Sequence, residues 1–400
     1  MNKIIKINSD EDRSYYCSMK FRWLKIDLEQ KNTYNCDPAK PHSVDFNWLE
    51  QNPGQLFNTP INVAERRMML ENQRNSSCEQ NCWPAEDIGA ISPRILRKGY
   101  EKTHSTVITQ PEIVDLTIGS DCNLTCSYCG KYYSSAWRRD IIANGDYANV
   151  SITDDRLTLT NKDLLLDKVN QFSKINTKHA QILLNELKLI QSTLHTLVIT
   201  GGEPFLNNSL NDIIGQSNKV PDIKIFTGLG VEFKRFSRIV DQLSEFPNIR
   251  LAISAEATEK IFEFNRYGMQ WDDFQRKIEL LSRKNIKYKF HSAISNLTVL
   301  GFNDFCLQYG DLIEEFDLVY QPNYMSVHVL DNDTKQQLIE QISSSKFYGK
   351  EDIINSLLPT PTESQRTNLR NFLIEFTRRR PNLDVTIYPK TLLNWINYVV

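Results

Sequence analysis

Three cysteines stand in the segment Asp121-Cys122-Asn123-Leu124-Thr125-Cys126-Ser127-Tyr128-Cys129-Gly130, spaced C-x3-C-x2-C. Such spacing puts three soft thiolates on one short loop, a donor set that selects an iron-sulfur cluster or zinc. No fourth ligand lies nearby; the next downstream candidate is His179. A structural zinc site is normally closed by four protein ligands, whereas a cubane held by three cysteines keeps one iron open for a small molecule. A disulfide framework fits poorly, because a 400-residue chain needs no staples and its first residues, Met1 to Arg13, are charged throughout rather than signal-like.

Four more cysteines, Cys17, Cys36, Cys78 and Cys82, precede this loop, and only Cys306 follows it. Four thiolates are the number that closes a metal site, as a second cluster or as zinc. Cys306 falls on an apolar helical pattern and is expected in the core. A second motif, Gly201-Gly202-Glu203-Pro204, follows the apolar run Leu197 to Thr200. By itself such a sequence is an ordinary turn.

From residue 113 onward, short apolar runs alternate with helical periodicity, which predicts a parallel sheet with covering helices. Six strands are expected: 113–118, 197–200, 223–227, 249–254, 286–293 and 316–320. Helices are expected over 161–194, with a break near Asn176, over 232–245 and over 259–283. The pattern predicts an α/β protein, a partial (β/α)6 TIM-like barrel over residues 111–330, with a small N-terminal α+β cluster-binding domain over 1–110. A C-terminal extension over 331–400 is expected to pack on the barrel, with a helix at 362–379, a strand near 385–388 and a last helix at 390–399. Barrels of this kind carry their chemistry at the C-terminal ends of the strands, and both motifs obey that rule. The polar insertion 143–160 has no readable role. Arg378-Arg379-Arg380 reads as a solvated helix end.

In this order, C-x3-C-x2-C after the first strand and GGEP after the second, the chain resembles the radical S-adenosylmethionine (SAM) superfamily. The resemblance implies a 4Fe-4S cluster on Cys122, Cys126 and Cys129, with SAM chelating the remaining iron. Reductive cleavage would then give a 5'-deoxyadenosyl radical that takes a hydrogen atom from the substrate. It implies SAM contacts at Gly201, Gly202, Glu203 and Pro204, at Tyr128 beside the adenine, at Ser254 and Glu256 near the ribose, and at Arg266 on the carboxylate. Residues 17 to about 94 resemble the twitch domain, a shortened SPASM extension that holds an auxiliary 4Fe-4S cluster on Cys17, Cys36, Cys78 and Cys82. Here it precedes the barrel, and Lys31 to Asn35 replace the usual glycine before the second cysteine. A structural zinc is the alternative for this site.

An auxiliary cluster implies electron relay, hence dehydrogenation or oxidative modification of a small molecule or peptide. The alternatives are a redox-neutral epimerase or rearrangement enzyme with a structural second metal site, and a non-catalytic metal-binding scaffold. An external electron donor such as flavodoxin or ferredoxin is implied. With 47 basic and 49 acidic residues, the net charge of −2 gives no general case for nucleic acid, although a tRNA substrate stays open. No apolar run is long enough to span a bilayer, and a cytoplasmic location is expected.

Overall fold

The six runs that carry the strand pattern are strands in the computed structural model, which describes residues 15–36, 39–79, 82–87, 92–96, 105–108, 110–147, 149–150, 155–159, 177–345, 347 and 349–398. In chain order the strands are β1 (Trp23–Asp27), β2 (Asn32–Tyr34), β3 (His42–Ser43), β4 (Ile113–Thr117), β5 (Thr125–Cys126), β6 (Thr196–Thr200), β7 (Asp222–Thr227), β8 (Ile249–Ser254), β9 (Arg266–Tyr267), β10 (Lys287–Ile294) and β11 (Ile313–Leu318). The expected six are β4, β6, β7, β8, β10 and β11. The protein is thus a mixed α/β fold with parallel strand pairing and many helices.

Two compact units divide the chain, one of residues 1–119, 174–200 and 209–224, the other of 120–173, 201–208 and 225–400. The boundaries expected at 110 and 330 do not coincide with this division. The reason lies in the first unit, where β1 pairs in parallel with β4, Leu24 opposite Val114 and Ile26 opposite Leu116, and β4 pairs in parallel with β6. The central residues of β4 and β6 are buried, so these strands read as short apolar runs, interrupted in β4 only by the buried Asp115. β2 and β3 continue antiparallel from β1. The expected helix over 161–194 is Lys178–Ile190, started by the Thr177 hydroxyl and burying Ala180, Leu183, Leu187 and Ile190 along one stripe; residues 160–176 lie outside the described residues.

In the second unit β8, β10 and β11 run parallel, with Ile253 opposite Phe290 and Ser254 opposite His291. Helices Phe233–Leu243 and Trp271–Arg283 present Phe236, Val240 and Phe274, Ile278 and Leu281 as buried stripes. The expected helix over 259–283 is broken. Glu259–Asn265 ends, β9 pairs antiparallel with β5, and Gly268 takes φ +109° before the second helix begins. Only glycine suits that turn, because a Cβ there would also lie 2.9 Å from the Leu124 side chain.

Smaller differences follow from side-chain hydrogen bonds. Val385–Ile387 is a 3-10 turn rather than a strand, because the Asp384 carboxylate accepts the Thr386 N–H at 2.9 Å and curls the backbone. The last strand is Ile313–Leu318 rather than 316–320, its acidic face hiding its start from a hydrophobicity pattern. Cys306 is partly exposed on Val299–Tyr309 and not a core residue. Among the described residues no helix is long and apolar enough to cross a membrane.

Candidate cluster and cofactor site

The loop Cys122 to Gly130 is tied down from its own C-terminal side. Ser135 Oγ accepts the Cys122 N–H at 3.1 Å and donates to the Cys122 carbonyl at 2.9 Å. Ser134 Oγ donates to the Leu124 carbonyl at 2.7 Å, and the fully buried Trp137 donates its Nε1–H to the Cys126 carbonyl at 3.1 Å. Trp137 therefore fixes the middle cysteine. Ser127 bonds Asn265 through both its N–H and its hydroxyl, at 2.8 and 2.6 Å.

Cys122 and Cys126 are buried and Cys129 is partly exposed. Burial pushes the Cys126 thiol up to about 12, against the pull of Arg266. Burial also raises Cys122, with Cys126 adding to the effect, and raises Cys129. Three thiols crowded in a dry loop resist ionising together unless a cation stands among them, which is what iron supplies. The Leu124 N–H also points at Cys122 Sγ, 3.4 Å away, a donor suited to a thiolate. The donor set thus fits an iron-sulfur cluster. Among the described residues, no group of three or more His, Cys, Asp or Glu converges on a single metal ion. In a cubane each thiolate meets a different iron, so convergence on one ion is not the geometry required.

GGEP packs directly on the start of this loop. A Cβ on Gly202 would lie 2.6 Å from the Asp121 carbonyl oxygen and 2.7 Å from that of Ser120, so only glycine permits the approach. The Glu203 N–H then donates to the Asp121 carbonyl at 2.7 Å. Pro204 starts the 3-10 turn Pro204–Leu206. The Glu203 carboxylate is buried and accepts four donors: Thr227 Oγ1 at 2.7 Å and the N–H groups of Phe205, Gly228 and Gly230 at 2.9 to 3.1 Å. Burial nonetheless raises its pKa. With two donors on each oxygen, this side chain is a tie between GGEP and the turn at 228–230, which the resemblance did not imply.

That turn is itself held. Leu229 takes φ +58°, a left-handed conformation costly for a branched residue. The buried Lys277 donates to the carbonyls of Leu229 and Val231 at 2.9 and 2.6 Å, securing it.

Tyr128, Glu256 and Arg266 come together through the β5–β9 pairing, in which Cys126 faces Arg266. The Tyr128 hydroxyl donates to Glu256 Oε1 at 2.8 Å, and Arg266 donates Nε and Nη2 to Oε2 at 3.2 and 2.8 Å. The guanidinium also lies over the Tyr128 ring, 5.9 Å from its centre. Burial raises the Tyr128 pKa far above its ordinary value, and the Glu256 charge adds to the rise. Arg266, expected to grip a ligand carboxylate, is thus paired with Glu256 in this structure. Ser254 ends β8 and lies opposite His291 in register. His291 is partly exposed: its Nε2 lies 2.8 Å from Asp317, and despite burial the nearby Asp317 and Glu315 carboxylates raise its pKa to about 9.

Sequence reasoning missed the arginines. Arg379 and Arg380 are 1 and 3% exposed, while Arg378 is 60% exposed, so two of the three are not a solvated helix end. Arg380 donates to Thr125 Oγ1 at 3.2 Å and to the Tyr147 hydroxyl at 3.1 Å. The signal was present as aromatic partners, Trp137 and Tyr267 at a distance and Phe376 four residues before it, over which its guanidinium stacks.

In the other unit, Cys17, Cys36, Cys78 and Cys82 gather in one buried group with Met19, Phe21, Met69 and Trp83. Burial raises Cys17 and Cys82 and brings Cys78 to about 11. Backbone N–H groups, of Met19 and Lys20 near Cys17 and of Arg94 near Cys82, work against that rise. Four gathered thiols are the donor chemistry of a four-thiolate metal group, although among the described residues no three of them converge on a single ion. Behind it Lys20 pairs with Glu65 at 2.6 Å, and although burial works against it, His42 and Lys20 hold that carboxyl down to about 2. The absent hairpin glycine is answered by Lys31, which itself takes φ +59°. His179, the downstream candidate, stacks on Phe46 and joins neither site.

Fold and site together describe a parallel α/β protein with a three-thiolate loop and a separate four-cysteine group. No family model matches the chain, and no curated protein does. Solved structures similar to parts of it include anSMEcpe with bound AdoMet, at 16% identity and TM-score 0.36 over 62% of each chain. Streptococcus suis SuiB bound to S-adenosylmethionine follows at 14% identity and TM-score 0.32, covering 59% of this chain and 48% of that one. SuiB bound to its precursor peptide SuiA gives 14% and 0.32 over 70% and 62%. The chain thus spans less than two thirds of the length of each. Likeness at this level assigns no family, so the class is read from the site.

Proposed function

We propose that the chain is a radical SAM enzyme with two iron-sulfur clusters, one on Cys122, Cys126 and Cys129 and an auxiliary one on Cys17, Cys36, Cys78 and Cys82. The supporting observation is the convergence of three things on the buried three-cysteine loop: the Gly202-Glu203 turn, whose missing Cβ lets it touch Asp121; the Tyr128–Glu256–Arg266 group; and the thiols themselves. When bound, the first cluster and SAM would supply a 5'-deoxyadenosyl radical, the cofactor carrying the hard chemistry. The protein's own part is to hold the loop, to shield it, and to keep a cation at Arg266 with its counter-charge at Glu256. A fully ligated auxiliary group suits electron relay, hence oxidation of a small molecule or peptide.

Anaerobic reconstitution tests this. About eight irons per chain are expected, against about four irons and one zinc for a structural second site. Incubation with SAM and dithionite should release 5'-deoxyadenosine. Cys78→Ala with Cys82→Ala should lower the iron to about four and leave that release partly intact, whereas Cys122→Ala should abolish it. Undiminished 5'-deoxyadenosine from Cys122→Ala would sink the proposal.

A further inference from the structure

The insertion between the cysteine loop and the second barrel strand returns to that loop as a clasp. Residues 155–159 lie against its outgoing end: the Lys131 N–H donates to the Arg156 carbonyl at 3.1 Å, and Lys131 Nζ donates to the Thr158 carbonyl at 2.7 Å. The Arg156 guanidinium donates Nη1 to the carbonyls of Tyr128 and Cys129, at 2.6 and 3.1 Å. Gly130 is the residue that permits the contact, since a Cβ there would lie 2.6 Å from Arg156 Cβ and 3.2 Å from its carbonyl oxygen.

Other guanidinium groups reach the same short stretch. Arg138 donates to the carbonyls of Lys131 and Tyr132 at 2.7 and 3.2 Å, and Arg380 bonds Thr125. The loop that collects three thiolates is therefore ringed by fixed cations, and two of them reach the backbone of a cysteine: Arg139 donates Nη2 to the Cys122 carbonyl at 3.4 Å, and Arg156 donates Nη1 to that of Cys129 at 3.1 Å. Cys129 is also the least buried of the three, so its position depends most on a backbone tie. Charge-assisted bonds to carbonyls are roughly twice as strong as neutral ones and orient what they hold.

We propose that Arg156 is a positioning residue of the three-cysteine loop, fixing Cys129 through its carbonyl and placing a positive charge beside the cluster that the loop would hold. This rests on the reading of that loop under Proposed function. A nearby cation favours the state with one more electron, so its removal makes reduction harder.

The test uses the full chain, reconstituted anaerobically, as wild type, Arg156→Gln, Arg156→Lys and Gly130→Ala. Two quantities are read: the midpoint potential of the cluster whose EPR signal changes on adding SAM, and the rate of iron loss to a chelator. Arg156→Gln should move the potential to more negative values and speed iron loss about tenfold. Arg156→Lys keeps the charge without the fork and should recover the potential more than the iron retention. Gly130→Ala keeps the cation, forces the clasp away and should lose iron faster. A potential and a loss rate in Arg156→Gln equal to those of wild type would overturn the inference, as would a lysine variant no closer to wild type in potential than glutamine. A wild-type chain without any SAM-responsive cluster would instead overturn the underlying reading of the loop.

Discussion

Glu256 offers the sharpest perturbation of the candidate site. Its carboxylate is buried, accepts the Tyr128 hydroxyl at 2.8 Å, and balances the buried Arg266 guanidinium with two bonds to one oxygen. Glu256→Gln keeps the size and one acceptor oxygen but removes the charge. Arg266 is then left as an uncompensated cation among low-dielectric neighbours, and breaking a buried pair from one side costs about 3 to 5 kcal/mol. A neutral amide oxygen still accepts one bond, so the lower end, about 3 kcal/mol, is expected. Arg266→Met by itself leaves Glu256 unpaired and should cost a similar amount. The double variant removes both charges, and the two costs should fail to add by about 2 to 3 kcal/mol. Urea unfolding of the four proteins, prepared alike, gives the four free energies. A loss below about 1 kcal/mol for Glu256→Gln, or additive single costs, would refute the buried pair.

Gly202→Ala should destabilise the turn by about 1 to 3 kcal/mol and abolish 5'-deoxyadenosine release, because its Cβ meets backbone oxygens that cannot swing away; unfolding and a turnover assay read both, and wild-type behaviour would contradict the close approach. His291 carries a pH prediction: its folded pKa is raised from 6.5 to about 9, so the stability from its ion pairs is fully present below pH 6.5 and is lost as pH rises through about 9. Since Asp317 and Glu315 face solvent, screening leaves about 1 kcal/mol, seen as a lower urea midpoint at pH 9.5 than at pH 6.5 that disappears in His291→Gln.

Periodicity located the strands well because the central residues of β6 and β8 are buried apolar positions and those of β4 are too except Asp115, leaving runs no helix would carry. It failed over 259–283 for a local reason. The apolar spacing on both sides of Gly268 is helical, and only the pairing of β9 with β5 breaks it. That single break turns Arg266 toward Cys126 and makes the Tyr128–Glu256–Arg266 group possible. The arginines at 379 and 380 were misread because charge runs are usually solvated, whereas here Trp137, Tyr147 and Tyr267 supply aromatic faces from distant parts of the chain and Phe376 supplies one from the preceding turn.

The sequence by itself determined the donors: three thiolates on one loop, four more upstream, and a glycine pair placed after the next strand. Type and spacing suffice for this, since a short loop limits how far its ligands can separate. Tertiary structure alone decided what surrounds those donors. It paired Arg266 with Glu256, turned Glu203 into a tie for the 228–230 turn, and brought Arg156 and Arg380 to the cysteine loop from 27 and 255 residues away. Such contacts depend on packing between remote segments, which no local spacing encodes.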